Sequence, residues 1–141
     1  MNLKTFTPEK ITSLRAGGDP VFQMNQKNGM IRINEAACEL LLLTKNKKLI
    51  FHQNSNDPTE WFVETSITDG FVLRDKNDRT NGLLSQSLPM VRNFFDSIGY
   101  EYLSGTVYLG IDPFIIGKRK LYPLITLKLL QWQQNQKDLE S

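Results

Sequence analysis

The stretch GMIRINEAACELLLLTKNKKLIF, residues 29–51, decides the fold and predicts a strand, a short helix and a second strand. Apolar and polar residues alternate from Met30 to Ile33, which is typical of a half-buried strand. Asn34 follows as a helix cap, because its side chain can accept hydrogen bonds from the free N–H groups of the first helical turn. The run Leu40–Leu43 is too short to cross a bilayer and is predicted to be buried.

The chain continues from this unit into a predicted antiparallel meander that ends at Arg74. Two polar segments are turn signals. In Asn54–Pro58 the Asn and Asp side chains can hydrogen-bond to their own backbone, and Pro fixes φ. In Asp69-Gly70 the glycine tolerates the positive φ of a hairpin turn. The two segments separate three apolar runs that predict strands: Leu49–Phe51, Trp61–Val63 and Phe71–Arg74. The helix after Asn34 is then available to cover one face of these strands.

Three segments resemble the strand–helix–strand unit of AbrB-like swapped-hairpin DNA-binding domains: Gly29–Asn34, Leu40–Leu43 and Lys47–Phe51. The resemblance implies an intertwined dimer that grips DNA with basic loops. More broadly, the pattern from Arg32 through Trp61 to Arg74 resembles small uncharacterised bacterial α+β proteins.

The chain has 141 residues, of which 40% are hydrophobic, and a formal net charge of +2. This length suits one domain, and the composition is that of an ordinary globular protein. A net charge this small does not by itself indicate nucleic-acid binding, so the positions of the basic residues decide.

Cysteine usage and the N-terminal sequence bear on the compartment. Cys38 is the only cysteine, so no internal disulfide can form, which favours a reducing compartment. The segment Met1–Pro8 lacks the apolar run of a signal peptide. No apolar stretch has the length of a membrane span. We therefore predict a cytoplasmic protein with no membrane partner.

Outside the central stretch, local patterns predict further elements. A short helix is expected from Thr7 to Gly17, and Val21–Met24 is expected to pair with Met30–Ile33 as a hairpin. The polar segment Asp75–Gly82 is predicted to be an exposed loop. An amphipathic helix is predicted after its cap, Ser87, and before Gly99, because apolar residues recur at helical spacing: Val91, Phe94, Phe95 and Ile98.

The C-terminal third has one strand, Thr106–Ile111, and one ambiguous segment, residues 121–128. Alternation of Ile125, Leu127 and Leu129 favours a strand there, whereas the spacing of Ile125, Leu129 and Trp132 also fits a helix. We predict the strand, followed by a polar, frayed tail over residues 131–141.

These patterns together predict an α+β fold in one domain over residues 1–130. Its mostly antiparallel sheet is expected to have about five to seven strands, with two or three helices.

Catalytic and metal-binding patterns are missing from the sequence. His52 is the only histidine, and together with Cys38 it cannot supply the four ligands of a structural zinc site. A Cys38–His52 nucleophilic pair would require the helix and the strand to face each other. Four acids, Asp57, Glu60, Glu64 and Asp69, are interpreted as caps and solubilising groups. We predict no enzyme activity, catalytic residue, metal or cofactor.

Two short basic clusters give the only functional signal. One contains Lys45, Lys47 and Lys48, and the other contains Lys118, Arg119 and Lys120. If the two turns meet in space, all six side chains would contact phosphates, and release of counterions would drive binding. Strand aromatics would add stacking platforms for bases where they face solvent: Phe51, Trp61, Phe62, Phe71 and Tyr108.

The sequence therefore favours a non-enzymatic nucleic-acid-binding or regulatory protein that uses basic loops. The alternative is a structural or protein-interaction module, possibly a homodimer, without a nucleic-acid role. In that alternative a sheet edge or an apolar surface patch would bind a partner or a second copy.

Overall fold

The computed structural model describes residues 18–75 and 82–140. The helix predicted from Thr7 to Gly17 and residues 76–81 of the predicted polar loop lie outside these ranges. The described strands are β1 (Val21–Asn25), β2 (Met30–Ile33), β3 (Lys48–Asn54), β4 (Asp57–Ser66), β5 (Phe71–Val72), β6 (Arg74–Asp75), β7 (Leu83–Gln86), β8 (Ser104–Leu109), β9 (Phe114–Ile116) and β10 (Arg119–Ile125). The described helices are α1 (Glu35–Leu41), α2 (Leu88–Ile98) and α3 (Leu127–Glu140).

The architecture is α+β with an antiparallel sheet, as predicted, but the sheet has more strands than expected. The described residues form ten strands, so the prediction of about five to seven strands was too low. Three of them, β5, β6 and β9, have only two or three residues. A run this short shows no alternation of apolar and polar residues that a sequence pattern could reveal.

The sheet curls until its two ends almost meet. Its strand order is β5-β3-β4-β10-β8-β1-β2-β7-β6, and β9 lies off this path, paired with β10. Only Leu73 separates β5 from β6, while β5 pairs with β3 and β6 pairs with β7. The segment Phe71–Asp75 therefore joins both ends, and the sheet is nearly barrel-shaped. The predicted β1–β2 hairpin is confirmed, with Phe22 opposite Ile33.

The core lies between the concave face of the sheet and helix α2. The predicted apolar stripe of α2 is confirmed, since Val91, Phe94 and Phe95 are completely buried. The ring of Phe94 meets the ring of Trp61 edge to face, with 5.5 Å between centroids. Packed aromatic pairs of this geometry stabilise a core beyond the area that they bury. Helix α2 is thus packed against β4 through these two rings.

Asn34 performs the predicted capping of α1 and also fastens the helix to the sheet. Its Oδ1 accepts from the backbone N–H of Ala37 at 2.9 Å and from that of Val21 at 3.1 Å. Its Nδ2 donates to the backbone carbonyl of Asp19 at 2.7 Å. One side chain therefore satisfies the first turn of α1 and the start of β1.

Replacement of Asn34 tests its contribution to the stability of the fold. Asn34→Ala is expected to lower the free energy of unfolding by about 1–2 kcal/mol, because it removes a helix cap and two further hydrogen bonds. Asn46→Ala is the matched control, since Asn46 is exposed in the turn before β3. Urea unfolding followed by tryptophan fluorescence measures both variants. Equal stability of the two variants would contradict the role assigned to Asn34.

The C-terminal segment differs from the prediction. Residues predicted as a frayed tail form most of α3, and the ambiguous segment contains both a strand end and a helix start. Gln133 is buried, accepts from the N–H of Glu101 at 2.7 Å and donates to the carbonyl of Gly99 at 3.0 Å. Gln133 occupies a buried position where an amphipathic helix usually has an apolar residue, and its hydrogen bonds make this burial possible. The polar side chain interrupts the apolar helical periodicity, so the sequence pattern does not reveal α3.

None of the helices in the described ranges combines the length and the apolar character needed to cross a bilayer.

Candidate functional site

A groove of about 320 Å³ lies where the C-terminal end of α1 faces the ends of β4 and β10. Four of the six basic residues singled out in the sequence line it: Lys47, Lys118, Arg119 and Lys120. The remaining lining residues are Leu40, Leu41, Leu42, Glu64, Thr65 and Tyr122. The structure therefore brings one lysine of the first basic turn together with the whole of the second basic cluster.

One wall of the groove is the C-terminal end of α1. Leu42 follows the helix in the left-handed region, with φ of 55°, a conformation that costs a non-glycine residue energy. Lys47 Nζ donates to the carbonyl oxygen of Leu42 at 2.8 Å, and the hydroxyl of Thr65 donates to the carbonyl oxygen of Leu41. A cation at a helix C-terminus is favourable. The bond to Leu42 holds the ammonium group of Lys47 at the edge of the groove, and the bond from Thr65 ties the end of α1 to β4.

The opposite wall is the turn between β9 and β10. Gly117 supplies the positive φ of 62° that the turn requires, and Lys118, Arg119 and Lys120 follow it directly. All three residues are exposed. Within the described part of the chain, the ammonium groups of Lys118 and Lys120 form no ion pair. Their charges are thus available to an anion that enters the groove.

Arg119 differs from its neighbours because its guanidinium is bound to a buried carboxylate. Its Nε donates to Glu64 Oε2 at 2.8 Å, and its Nη2 donates to Glu64 Oε1 at 2.7 Å. His52 Nε2 lies 2.8 Å from the same Oε1. Two parallel bonds from one guanidinium give the strongest kind of carboxylate pairing. Arg119 therefore fixes the β10 strand against β4 and has its charge compensated.

The electrostatics of Glu64 follow from this geometry. The hydrogen bonds from Arg119 lower the pKa of Glu64 from 4.5 to about 2, against the opposing effect of burial and with help from His52. The same contact raises the pKa of Arg119 above its usual value. Both groups are thus charged at neutral pH. The interpretation of Glu64 as a cap or solubilising acid is wrong, because its side chain is only 11% exposed.

Two of the six predicted contacts do not line the groove. Lys45 Nζ pairs with Asp75 Oδ2 at 3.2 Å on the surface. Lys48 Nζ donates to the carbonyl oxygen of Thr68 at 2.9 Å. Neither side chain lines the groove, so we assign to it only Lys47, Lys118, Arg119 and Lys120.

The aromatic side chains are mostly unavailable for stacking. Trp61 is buried and donates from Nε1 to Ser97 Oγ at 2.8 Å, while Phe51 and Phe71 pack edge to face. The exposed ring beside the second basic cluster is that of Phe114, which is 61% exposed and lies 6.3 Å from the ring of Phe62. Phe114 is not among the aromatic residues predicted from the sequence, because β9, with three residues, is too short to show a strand pattern.

A second depression of about 400 Å³ lies between β8 and α3. It is lined by aromatic residues that include Tyr108 and Trp132, and its one lysine, Lys128, lies over the Tyr108 ring at 4.3 Å from the centroid. A single cation that is already engaged with a ring makes this depression a poorer site for a polyanion than the basic groove.

Within the described residues, no group of three or more His, Cys, Asp or Glu side chains is placed to hold a metal ion.

Comparison of the chain with protein-family models, with curated proteins and with solved structures found no match. The resemblance to AbrB-like domains accordingly stays a prediction.

Proposed function

We propose that this protein binds single-stranded nucleic acid, with the sugar-phosphate backbone in the basic groove between α1 and the β9–β10 turn. The observation that carries the proposal is that Lys47 and the Lys118–Lys120 cluster line the same groove although they are far apart in sequence. A groove that concentrates positive charge attracts phosphates and releases their counterions.

The charge balance of the groove favours a polyanion. Four cations face one carboxylate, that of Glu64, which leaves three positive charges uncompensated. Arg119 provides rigidity, whereas Lys47, Lys118 and Lys120 provide the phosphate contacts. Three such contacts predict a slope of about −2 when the logarithm of affinity for a single strand is plotted against the logarithm of salt concentration.

The exposed ring of Phe114 supports a single strand over a duplex. Proteins that bind single strands combine a positively charged groove with aromatic side chains on which unpaired bases stack. The bases of a duplex are stacked on each other and cannot use such a ring. Lys118, Lys120 and Phe114 belong to the same hairpin, in which Phe114 pairs with Leu121 and Lys120 pairs with Ile115. Phe114 and Lys120 therefore lie on opposite faces of the hairpin, and a single strand would contact both by passing around the edge of β9.

Fluorescence anisotropy with labelled oligo(dT) at low and raised salt tests the proposal. The double variant Lys118→Ala/Lys120→Ala is expected to bind about tenfold more weakly and to have a salt slope shallower by about 1.4, because two phosphate contacts are lost. A duplex of the same length is expected to bind more weakly than the single strand.

The matched control is Lys27→Ala/Lys137→Ala, which removes the same two charges outside the groove. Lys27 is exposed in the β1–β2 turn, and Lys137 pairs with Glu101 at 3.0 Å on the surface. An equal loss of affinity in the control would assign binding to net charge alone. No binding of the wild-type chain at low salt would end the proposal.

A further inference from the structure

The β9–β10 hairpin carries an apolar strand with an unpaired edge. Strand β9 pairs with β10 through Phe114 opposite Leu121, Ile115 opposite Lys120 and Ile116 opposite Arg119. No strand of the described residues pairs with the other edge of β9. Natural proteins usually shorten, charge or cover such an edge, because its free N–H and C=O groups can pair with another chain.

The side chains on this edge are large, apolar and solvent-exposed. Phe114, Ile115 and Ile116 are 61%, 58% and 48% exposed. Side chains alternate along a strand, so both faces of β9 present apolar surface. Three further exposed apolar side chains lie close by in sequence, those of Ile111, Ile125 and Leu127. Three consecutive exposed apolar side chains on one strand, Phe114–Ile116, are typical of an interaction surface.

The sequence of this edge is complementary to itself. It reads Asp112-Pro113-Phe114-Ile115-Ile116-Gly117-Lys118, with an acid at one end, a base at the other and three apolar residues between. An antiparallel copy centred on Ile115 would place Phe114 opposite Ile116. The same register brings Asp112 to the partner's hairpin tip, where Lys118 lies. Asp112 and Lys118 are exposed, and neither forms an ion pair with the described residues.

We propose that two copies of this chain associate across a two-fold axis by antiparallel pairing of their β9 strands. The partner is a second copy of the chain, because a two-fold axis through Ile115 brings Asp112 of each copy to Lys118 of the other. Pro113 has no N–H and limits the ladder to about three residues a side. The dimer is therefore weak and concentration-dependent. The inference does not rest on the proposed nucleic-acid binding, but it uses Lys118 and Phe114, which that proposal also uses, so nucleic acid is left out of its test.

Sedimentation velocity over a concentration series tests the dimer. The wild-type chain is expected to shift from monomer to dimer as concentration rises. Ile115→Lys places two like charges opposite each other at the axis and is expected to weaken association by about tenfold or more. The control is Ile67→Lys, which adds the same charge at a 78%-exposed isoleucine between β4 and β5.

A charge exchange tests the register. Asp112→Lys and Lys118→Asp are each expected to weaken self-association, because each variant faces itself with like charges. An equimolar mixture of the two variants restores opposite charges at both ends and is expected to dimerise.

Three results would overturn the inference. They are a wild-type monomer at every concentration, an Ile115→Lys variant that associates like wild type, or a mixture of the two charge variants that stays monomeric. A monomer that co-sediments with anionic phosphatidylserine vesicles would assign the surface to lipid instead of a second copy.

Discussion

Gly29→Ala is expected to lower the free energy of unfolding by about 3 kcal/mol, from backbone strain and overpacking combined. Gly29 lies in the β1–β2 turn with φ of 76°, a conformation that disfavours any residue with a Cβ. A Cβ at this position would also lie 2.6 Å from Leu88 Cα and 2.7 Å from the carbonyl carbon of Ser87. These are backbone atoms at the start of α2, which cannot rotate away as a side chain would.

Gly99→Ala separates the two causes. Gly99 has the same φ of 76°, and among the described residues no side chain or backbone from elsewhere in the fold lies within 4 Å of the added Cβ. This variant is expected to lose only about 1 kcal/mol, the part that comes from the left-handed backbone. Urea unfolding monitored by the fluorescence of Trp61 and Trp132 gives both values. Equal losses in the two variants would show that contact with α2 contributes nothing.

Glu64→Gln is expected to change stability and affinity in opposite directions. The variant loses the charge-assisted bonds from Arg119 and is expected to be about 2 kcal/mol less stable. The Arg119 guanidinium is then uncompensated, so oligo(dT) is expected to bind more tightly, with a salt slope steeper by about 0.7. Anisotropy titrations and urea unfolding measure the two effects in one preparation.

The control for this variant is Glu60→Gln, which removes the same charge from an exposed position on the same strand. Its stability and its salt slope are expected to stay close to those of the wild type. Weaker oligo(dT) binding by Glu64→Gln than by Glu60→Gln would contradict the assignment of Glu64 as the counter-charge of the groove.

The stability difference between wild type and Glu64→Gln also depends on pH. The pKa of Glu64 is lowered from 4.5 to about 2 in the folded chain. A group with a lowered folded-state pKa contributes stability that is complete above its unfolded-state pKa and is lost as the pH falls towards its folded-state pKa. The difference is therefore expected to be constant above about pH 5 and to shrink between pH 5 and pH 2.

Elements with a strong local signal were predictable from the sequence. Helix α2 was found because its cap at Ser87, its apolar stripe and its terminal Gly99 agree with one another. Asn34 was recognised as a cap because capping depends on residues within one turn. In both cases the information lies within a dozen neighbouring positions.

The ion cluster and the shortest strands could not be found in this way. Glu64 and Arg119 are partners across the β4–β10 region, and nothing next to either residue distinguishes a buried acid from a solvated one. Strand β9 is defined by pairing with β10 and not by its own pattern. The approach of Lys47 to the second basic cluster likewise depends on the sheet order, which local periodicity does not encode.

The segment Phe71–Asp75 has a consequence for how the chain could misassemble. It forms two short ladders, one with β3 and one with β7, and Ser85 Oγ donates to the carbonyl oxygen of Val72 at 3.0 Å. If this segment detached, β3 and β7 would lose their neighbours β5 and β6 at the same moment. The backbone groups of Lys48, Leu49, Leu83 and Leu84 would then be free to pair with another chain. Retention of these five residues therefore keeps these parts of β3 and β7 covered, and a covered strand edge cannot template domain exchange or fibrillar stacking.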